Sequence, residues 1–280
     1  MQDLKAKVAV ITGAAEGIGK AIAVAAAAEG MRLILADIHQ ELLDKTVTEL
    51  RQSGAEVIGV VTDVSKENEI QNLADQAYAQ FGQVHLLVNN AGVAFAKSAW
   101  ETTAKDWEWI MGINLYGITH AIRIFVPRML AGNEVAHIVN TASVAGLIAE
   151  PALAAYNVSK FGVVALSESL QHDLNLRQAK IGVSVLCPSW VKTRITDAER
   201  NRKTEDRIQV EQLEKVSVKT GAAINKAVEA GIAPQQVARD VINAVKNNTF
   251  YILTHPETKA AVAIRSDDIL QGRAPTLLPI

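Results

Sequence analysis

The chain has 280 residues, 49% of them hydrophobic, and a formal charge of −2 from 28 basic and 30 acidic side chains. That length suits one core near the upper limit for a single domain, and the near-balanced charge leaves no basic footprint for nucleic acid or an anionic membrane. A single cysteine, Cys187, excludes an intrachain disulfide and a cysteine-based zinc cluster.

Asp3, Lys5 and Lys7 interrupt the N-terminus, and the first apolar run, Val8 to Ile11, is only strand-length. No targeting segment is therefore expected, and a cytoplasmic location follows. After that first strand comes Thr12-Gly13-Ala14-Ala15-Glu16-Gly17-Ile18-Gly19, inside which a helix begins and continues through the alanine-rich Ala21 to Ala28. Glycines there let the backbone turn tightly and approach a pyrophosphate, while the helix start offers free N–H groups and a positive dipole end. Alone, the trio also fits an ordinary strand–helix turn; its place in a βαβ unit favours the dinucleotide reading.

A second strand, Arg32 to Ala36, ends beside Asp37, whose carboxylate can accept hydrogen bonds from ribose hydroxyls and repel a 2′-phosphate. Glu16 adds a second negative charge, and Ile38 stands where a basic residue could have countered it, so NAD is favoured over NADP. The plainer reading of Asp37 is a cap on the next helix.

Further strands are read at Glu56 to Val60, His85 to Val88, Ala136 to Asn140, Gly182 to Leu186 and Phe250 to Leu253. Thr103 with Asp106 forms a capping-box start for a helix running to about Leu130, and Pro234 suits the first turn of a helix ending near Lys246. The strands are continuous apolar runs alternating with helices, which predicts an α/β, Rossmann-type doubly wound parallel sheet of about seven strands, helices on both faces, in a single domain over residues 1–253. From Arg194 to Arg207, nine of 14 residues are charged. A solvated helical excursion and a substrate lid over residues 194–233 are both open readings. Residues 254–280 read as a C-terminal tail without clear periodicity.

Tyr156 and Lys160 lie four residues apart on a predicted helix, so an ammonium and a phenol project from one face. Bringing a tyrosine from pKa 10 to 7 takes about 4 kcal/mol, which needs Lys160 and a cationic nicotinamide ring together. Such a tyrosine is a general acid in ketone reduction and a base in alcohol oxidation. On most helices the pair is merely a snorkelling lysine beside a half-buried ring. Its company is more telling: Thr12 to Gly19, Asn89-Asn90-Ala91-Gly92, Asn114, Ser143 and Tyr156-Asn157-Val158-Ser159-Lys160 follow the order and approximate spacing of the short-chain dehydrogenases/reductases, which this chain resembles from about Lys5 to Phe250.

The resemblance implies catalytic Asn114, Ser143, Tyr156 and Lys160. Ser143 would orient the substrate oxygen, Tyr156 exchange its proton, Lys160 hold the nicotinamide ribose and lower the tyrosine pKa, and Asn114 hold a water linking Lys160 to solvent. It also implies that Gly13, Glu16, Gly17, Ile18 and Gly19 form the pyrophosphate turn, that Asp63 and Val64 contact adenine, and that Asn90, Ala91 and Gly92 line the adenosine ribose. In Pro188-Ser189-Trp190-Val191-Lys192-Thr193, Val191 and Thr193 would meet the carboxamide. Ser189 departs from the family's glycine and puts local geometry in doubt; Trp190 walls the pocket or covers the sheet edge. The family's habit implies a homotetramer, with a dimer as the fallback.

Cys187, just before Pro188, reads as core filler. The six histidines show no metal-ligand spacing, so no metal is implied. Ser143 is outside any Gly-x-Ser-x-Gly elbow, against a hydrolase. Trp100, Trp107 and Trp109 read as core or subunit-contact residues. The resemblance also implies that Val93 to Ala96, Val144 to Ile148, Leu153 and Trp190 flank the nicotinamide, and because most are apolar a hydrophobic or aryl secondary alcohol or ketone is expected as the small-molecule partner. The alternatives are a 3-oxoacyl reductase and a catalytically silent NAD-sensing protein.

Overall fold

The structure is a computed structural model that describes residues 1–278, the Val210 side chain excepted. Its strands are β1 (Val8–Thr12), β2 (Arg32–Asp37), β3 (Val57–Val61), β4 (Leu86–Asn89), β5 (Ala136–Thr141), β6 (Ile181–Cys187) and β7 (Tyr251–Leu253), each within one residue of its predicted bounds. They form one sheet in the order β3-β2-β1-β4-β5-β6-β7, parallel throughout. The order reverses between β1 and β4, and the crevice beyond the strands' C-terminal ends at such a switch is where this architecture takes ligands.

Pleating sends alternate residues of each strand to opposite faces. Ala9, Ile11, Leu33 and Leu35 pack against α1 (Gly17–Ala28), α2 (Gln40–Gln52) and α8 (Pro234–Asn247). Val8, Val10, Ile34 and Leu87 pack against α3 (Glu67–Phe81), α5 (Gly117–Gly132) and α6 (Ala154–Leu176). Covering both faces is what makes the strands read as largely apolar runs. The alanines of α1, with Ala21, Ala23 and Ala26 buried, let that helix lie close to the sheet. Cys187 is a fully buried free thiol within this packing.

The predicted helix after Thr103 is interrupted. Its capping box is present, with Asp106 N–H donating to Thr103 Oγ1 at 3.2 Å and Thr103 N–H to Asp106 Oδ2 at 2.9 Å. After α4 (Ala104–Met111), however, comes a wide π-turn, Gly112–Tyr116, before α5 resumes and ends at Asn133 in the left-handed conformation. Asn114 sits in that wide turn, and periodicity alone cannot reveal a single inserted residue. The stretch Ala104–Gly132 is long and apolar enough to cross a bilayer by length and composition, but Ile118, Ala121 and Phe125 are buried in the fold.

The charged stretch is only partly solvated: Arg194, Asp197, Lys203, Glu205 and Arg207 are exposed, while Arg202 is buried. It folds as short 3₁₀ turns, Ile195–Asn201 and Thr204–Asp206, and leads through Val210–Gln212 into α7 (Lys215–Glu229). Arg202 is buried, stacked 4.0 Å from the Trp109 ring centroid and donating to Asp106 Oδ1 at 2.6 Å. Asp106 also receives Lys97 Nζ at 2.7 Å. Burial pushes its carboxyl up, but Lys97, Thr103 and Arg202 outweigh that and hold it at about 2. The tail contains a further helix, α9 (Thr258–Leu270), whose apolar residues do not gather on one face; this is why no period announced it. Pro279 and Ile280 lie outside the described residues.

Candidate active site

A cavity of about 760 Å³ opens over the β1/β4 switch point and runs from Asp37, Asp63 and Val64 at one end to Ser143, Tyr156 and Trp190 at the other. Its first wall is the β1–α1 turn. Gly13 holds a positive φ of 63°, and a Cβ on Gly19 would lie 2.1 Å from the Gly13 carbonyl oxygen. Only glycines allow this stacking, which leaves the first N–H groups of α1 unscreened. Glu16, Gly17 and Ile18 line the cavity, whereas Gly19 packs behind them.

Asn90 braces this turn. Its Nδ2 donates to Thr12 O at 3.0 Å and Gly13 O at 3.2 Å, while Thr12 Oγ1 accepts the Asn90 and Ala91 N–H groups. The Asn90 side chain thus shapes the phosphate turn, and Ala91 and Gly92 continue the wall. Asp37, at the end of β2, accepts Ala15 N–H at 3.0 Å and His39 N–H at 3.0 Å, so it serves as a local cap and still faces the cavity. Asp63 turns its carboxylate to Ser65 and Lys66, which leaves Val64 as the apolar edge.

One expectation about charge is corrected. Glu16 is not an uncompensated negative charge: Arg200 pairs with it, and Arg194 Nη1 lies 3.5 Å from its other oxygen. The countercharge absent at Ile38 comes instead from Arg194 and Arg200, the latter 184 residues from Glu16 in sequence. The electrostatic case against a 2′-phosphate therefore rests on Asp37.

At the far end, α6 carries Tyr156 and Lys160 into the cavity, with Lys160 Nζ 5.6 Å from the Tyr156 ring centroid and donating to Thr141 O at 2.8 Å. Burial lowers the Lys160 ammonium to about 8. Burial also pushes the Tyr156 phenol up to about 12, against the pull of the neighbouring Ser143 hydroxyl and with a push from Glu150. Ser143 Oγ accepts Ala145 N–H at 3.2 Å and donates to Pro188 O at 3.3 Å. Asn114 lies wholly buried behind this group, bonding both main-chain polar groups of Val93 and donating to Ser159 Oγ at 3.0 Å. Its side chain is committed to protein partners, so a water there would have to be held by the main chain of the wide turn.

Val191 and Thr193 line the cavity below Trp190, and Ser189 keeps an ordinary negative φ, so its departure from glycine strains nothing. Val93, Ala94, Val144 and Leu153 line the cavity, without Ala96 or Ala145 to Ile148. Phe95 does not line it either: it stacks on Trp109, whose other partner is Arg202. Trp109 also lines the cavity, and Trp100 is exposed. Among the described residues no His, Cys, Asp and Glu side chains gather to hold a metal ion.

Sequence reasoning missed two features. Glu150 lines the reactive end, and burial raises its carboxyl to about 7; nothing in Ala149-Glu150-Pro151 signals burial. Arg200 reaches the phosphate turn by a contact that no local pattern encodes.

A cradle of glycine turn, helix start and terminal carboxylate fits a nicotinamide dinucleotide. The family model for short chain dehydrogenases matches residues 7–204. A crystal structure of a short-chain dehydrogenase/reductase from Burkholderia phymatum, in complex with NAD, superposes with a TM-score of 0.96 at 47% identity, covering 100% of this chain and 99% of the other. The CLA biosynthesis dehydrogenase/reductase of Lactiplantibacillus plantarum is 36% identical over 98% of this chain and 97% of its own length. The NADP-dependent (R)-specific alcohol dehydrogenase of Lentilactobacillus kefiri is 35% identical over 69% of this chain and 77% of its own. With a match spanning most of the chain and relatives of this likeness, the protein belongs to the short-chain dehydrogenase/reductase family.

Proposed function

We propose that this oxidoreductase transfers hydride between NAD(H) and a hydrophobic or aryl secondary alcohol or ketone. The observation that carries the reading is the convergence of Ser143, Tyr156 and Lys160 at the apolar end of a cavity whose other end is closed by Asp37. When bound, the nicotinamide supplies or accepts the hydride. In oxidation, Tyr156 takes the hydroxyl proton as hydride leaves the carbinol carbon; in reduction it returns that proton to the new alkoxide. Ser143 donates to the substrate oxygen and fixes its distance from Tyr156. Lys160, released from Thr141 O, holds the adjacent ribose and keeps a positive charge beside the phenol.

The preference for NAD rests on Asp37, whose negative charge would oppose a 2′-phosphate. Val93, Val144, Leu153 and Trp190 support an apolar substrate. The Asn114 wide turn and Lys160 are suited to passing a proton outward. The homotetramer rests on the family's habit alone, with Tyr116 in the wide turn and Val158 in α6 left exposed.

The test is reduction of a panel of aryl, alicyclic and 3-oxoacyl ketones followed by NADH absorbance, with NADPH in parallel. Turnover with NADH that falls about 10²- to 10⁴-fold in Tyr156→Phe is expected. Preference for NADPH would overturn the cofactor assignment, and dinucleotide binding without turnover of any substrate would favour the NAD-sensing reading.

A further inference from the structure

The segment after Thr193 is tied to both halves of the cofactor cradle. Thr193 sits over Gly17, with its Cγ2 3.4 Å from where a Cβ on that glycine would be. Arg200 Nη2 and Arg194 pair with Glu16 in the phosphate turn. Asn201 Oδ1 lies 2.6 Å from His39 Nε2, two residues beyond Asp37. These contacts strap residues 194–201 across the place where a pyrophosphate would lie.

The guanidinium of Arg200 is incompletely used. Nη1 donates to Arg194 O at 2.9 Å and Asp197 O at 2.8 Å, and Nη2 to Glu16. Its Nε is buried with no partner, and Arg200 lines the cavity. A buried, unsatisfied N–H on a cation is costly, so the guanidinium is not at its best-satisfied position where it rests on Glu16. Glu16 satisfies the charge but only one edge of the fork. A pyrophosphate at the start of α1 offers several anionic oxygens to that same fork, the geometry arginine binds best.

We propose that Arg200 is a pyrophosphate-binding residue, resting on Glu16 when the cradle holds no dinucleotide and exchanging that carboxylate for the cofactor's phosphates when one binds. This rests on the dinucleotide reading above. Glu16 thereby competes with the ligand: it holds the strap shut and lowers affinity, while Arg200 raises it.

The two roles give opposite signs, which a purely structural clasp does not. ADP-ribose and adenosine binding would be measured by calorimetry, and NADH binding by fluorescence, for the wild type, Arg200→Gln and Glu16→Gln, with thermal melts to establish that each variant is folded. Losing one charge-assisted contact should raise the ADP-ribose and NADH Kd in Arg200→Gln about tenfold. Glu16→Gln should lower both. Adenosine, which lacks the phosphates, should bind all three proteins alike. If both variants shift ADP-ribose affinity in the same direction, or if adenosine responds as ADP-ribose does, the exchange is wrong although dinucleotide binding stands. If the wild type binds neither ADP-ribose nor NADH, the functional reading and the exchange fall together.

Discussion

In the free chain the order of ionisation at the reactive end is the wrong one for catalysis. Burial lowers the Lys160 ammonium to about 8 and pushes the Tyr156 phenol up to about 12, so ammonium and phenolate do not predominate together at any pH. A cation held 5.6 Å away at an effective dielectric of about 20 is worth about 3 kcal/mol, or about 2 pKa units. Each cation held at that distance lowers the phenol by that amount for as long as it stays charged. A charged Lys160 is the first and the nicotinamide cation of NAD⁺ the second. The prediction is therefore graded in direction: Tyr156 ionises near 12 in the free enzyme, where Lys160 has already lost its proton, and lower with NAD⁺ than with NADH, whose ring is neutral. The tyrosinate ultraviolet difference spectrum, with Tyr156→Phe subtracted, measures each step, and the pH dependence of alcohol oxidation at saturating NAD⁺ should report the lowest value. A Tyr156 signal that already titrates near neutrality in the free enzyme, or that ignores NAD⁺, would refute the reasoning.

Other consequences follow from the same geometry. Asp37→Asn keeps an acceptor for Ala15 or His39 but removes the charge, so the NADPH-to-NADH ratio of kcat/KM should rise about tenfold or more; an unchanged ratio would shift discrimination elsewhere. Burial raises Glu150 to about 7, so the folded state holds an extra proton between the ordinary carboxylate range and 7 and loses stability as pH rises through that window. Glu150→Gln should then melt higher than wild type above pH 7, by up to about 3 kcal/mol, and match it near pH 4.5. Asp106→Ala leaves Lys97 and Arg202 buried without their shared anion and should cost about 3–5 kcal/mol in denaturant unfolding. Because the Asp106 carboxyl is held at about 2, its contribution is complete above the unfolded value and disappears only as pH falls through that figure.

The sheet was legible because its strands are short and largely apolar, with His137 and Asn140 in β5 and Ser184 in β6 as polar interruptions, and the Tyr156–Lys160 pair because the two share one helix face. The Asp106 cap was readable for the same local reason. What it does beyond capping was not: Lys97 and Arg202 reach it from separate segments, and only the fold sets three charges together. Only part of the strap's packing was legible, for a related reason. A run of nine charges reads as solvated when each is counted alone, yet Arg202 finds an anion and an aromatic face, and Arg200 finds Glu16. The helix α9 escaped notice because its apolar residues do not fall on one side.

The burial of Arg202 also sets where this charged segment can be cut. Trypsin must draw an arginine or lysine side chain into its own specificity pocket, and the Arg202 side chain, 3% exposed between Asp106 and Trp109, cannot be drawn out while the segment is seated. Exposed Lys203 follows it directly, and exposed Arg207 stands four residues beyond that. Limited digestion should nick after those two first, and cleavage after Arg202 should appear only when the whole segment has lifted, which makes the fragment pattern a gauge of how far it travels.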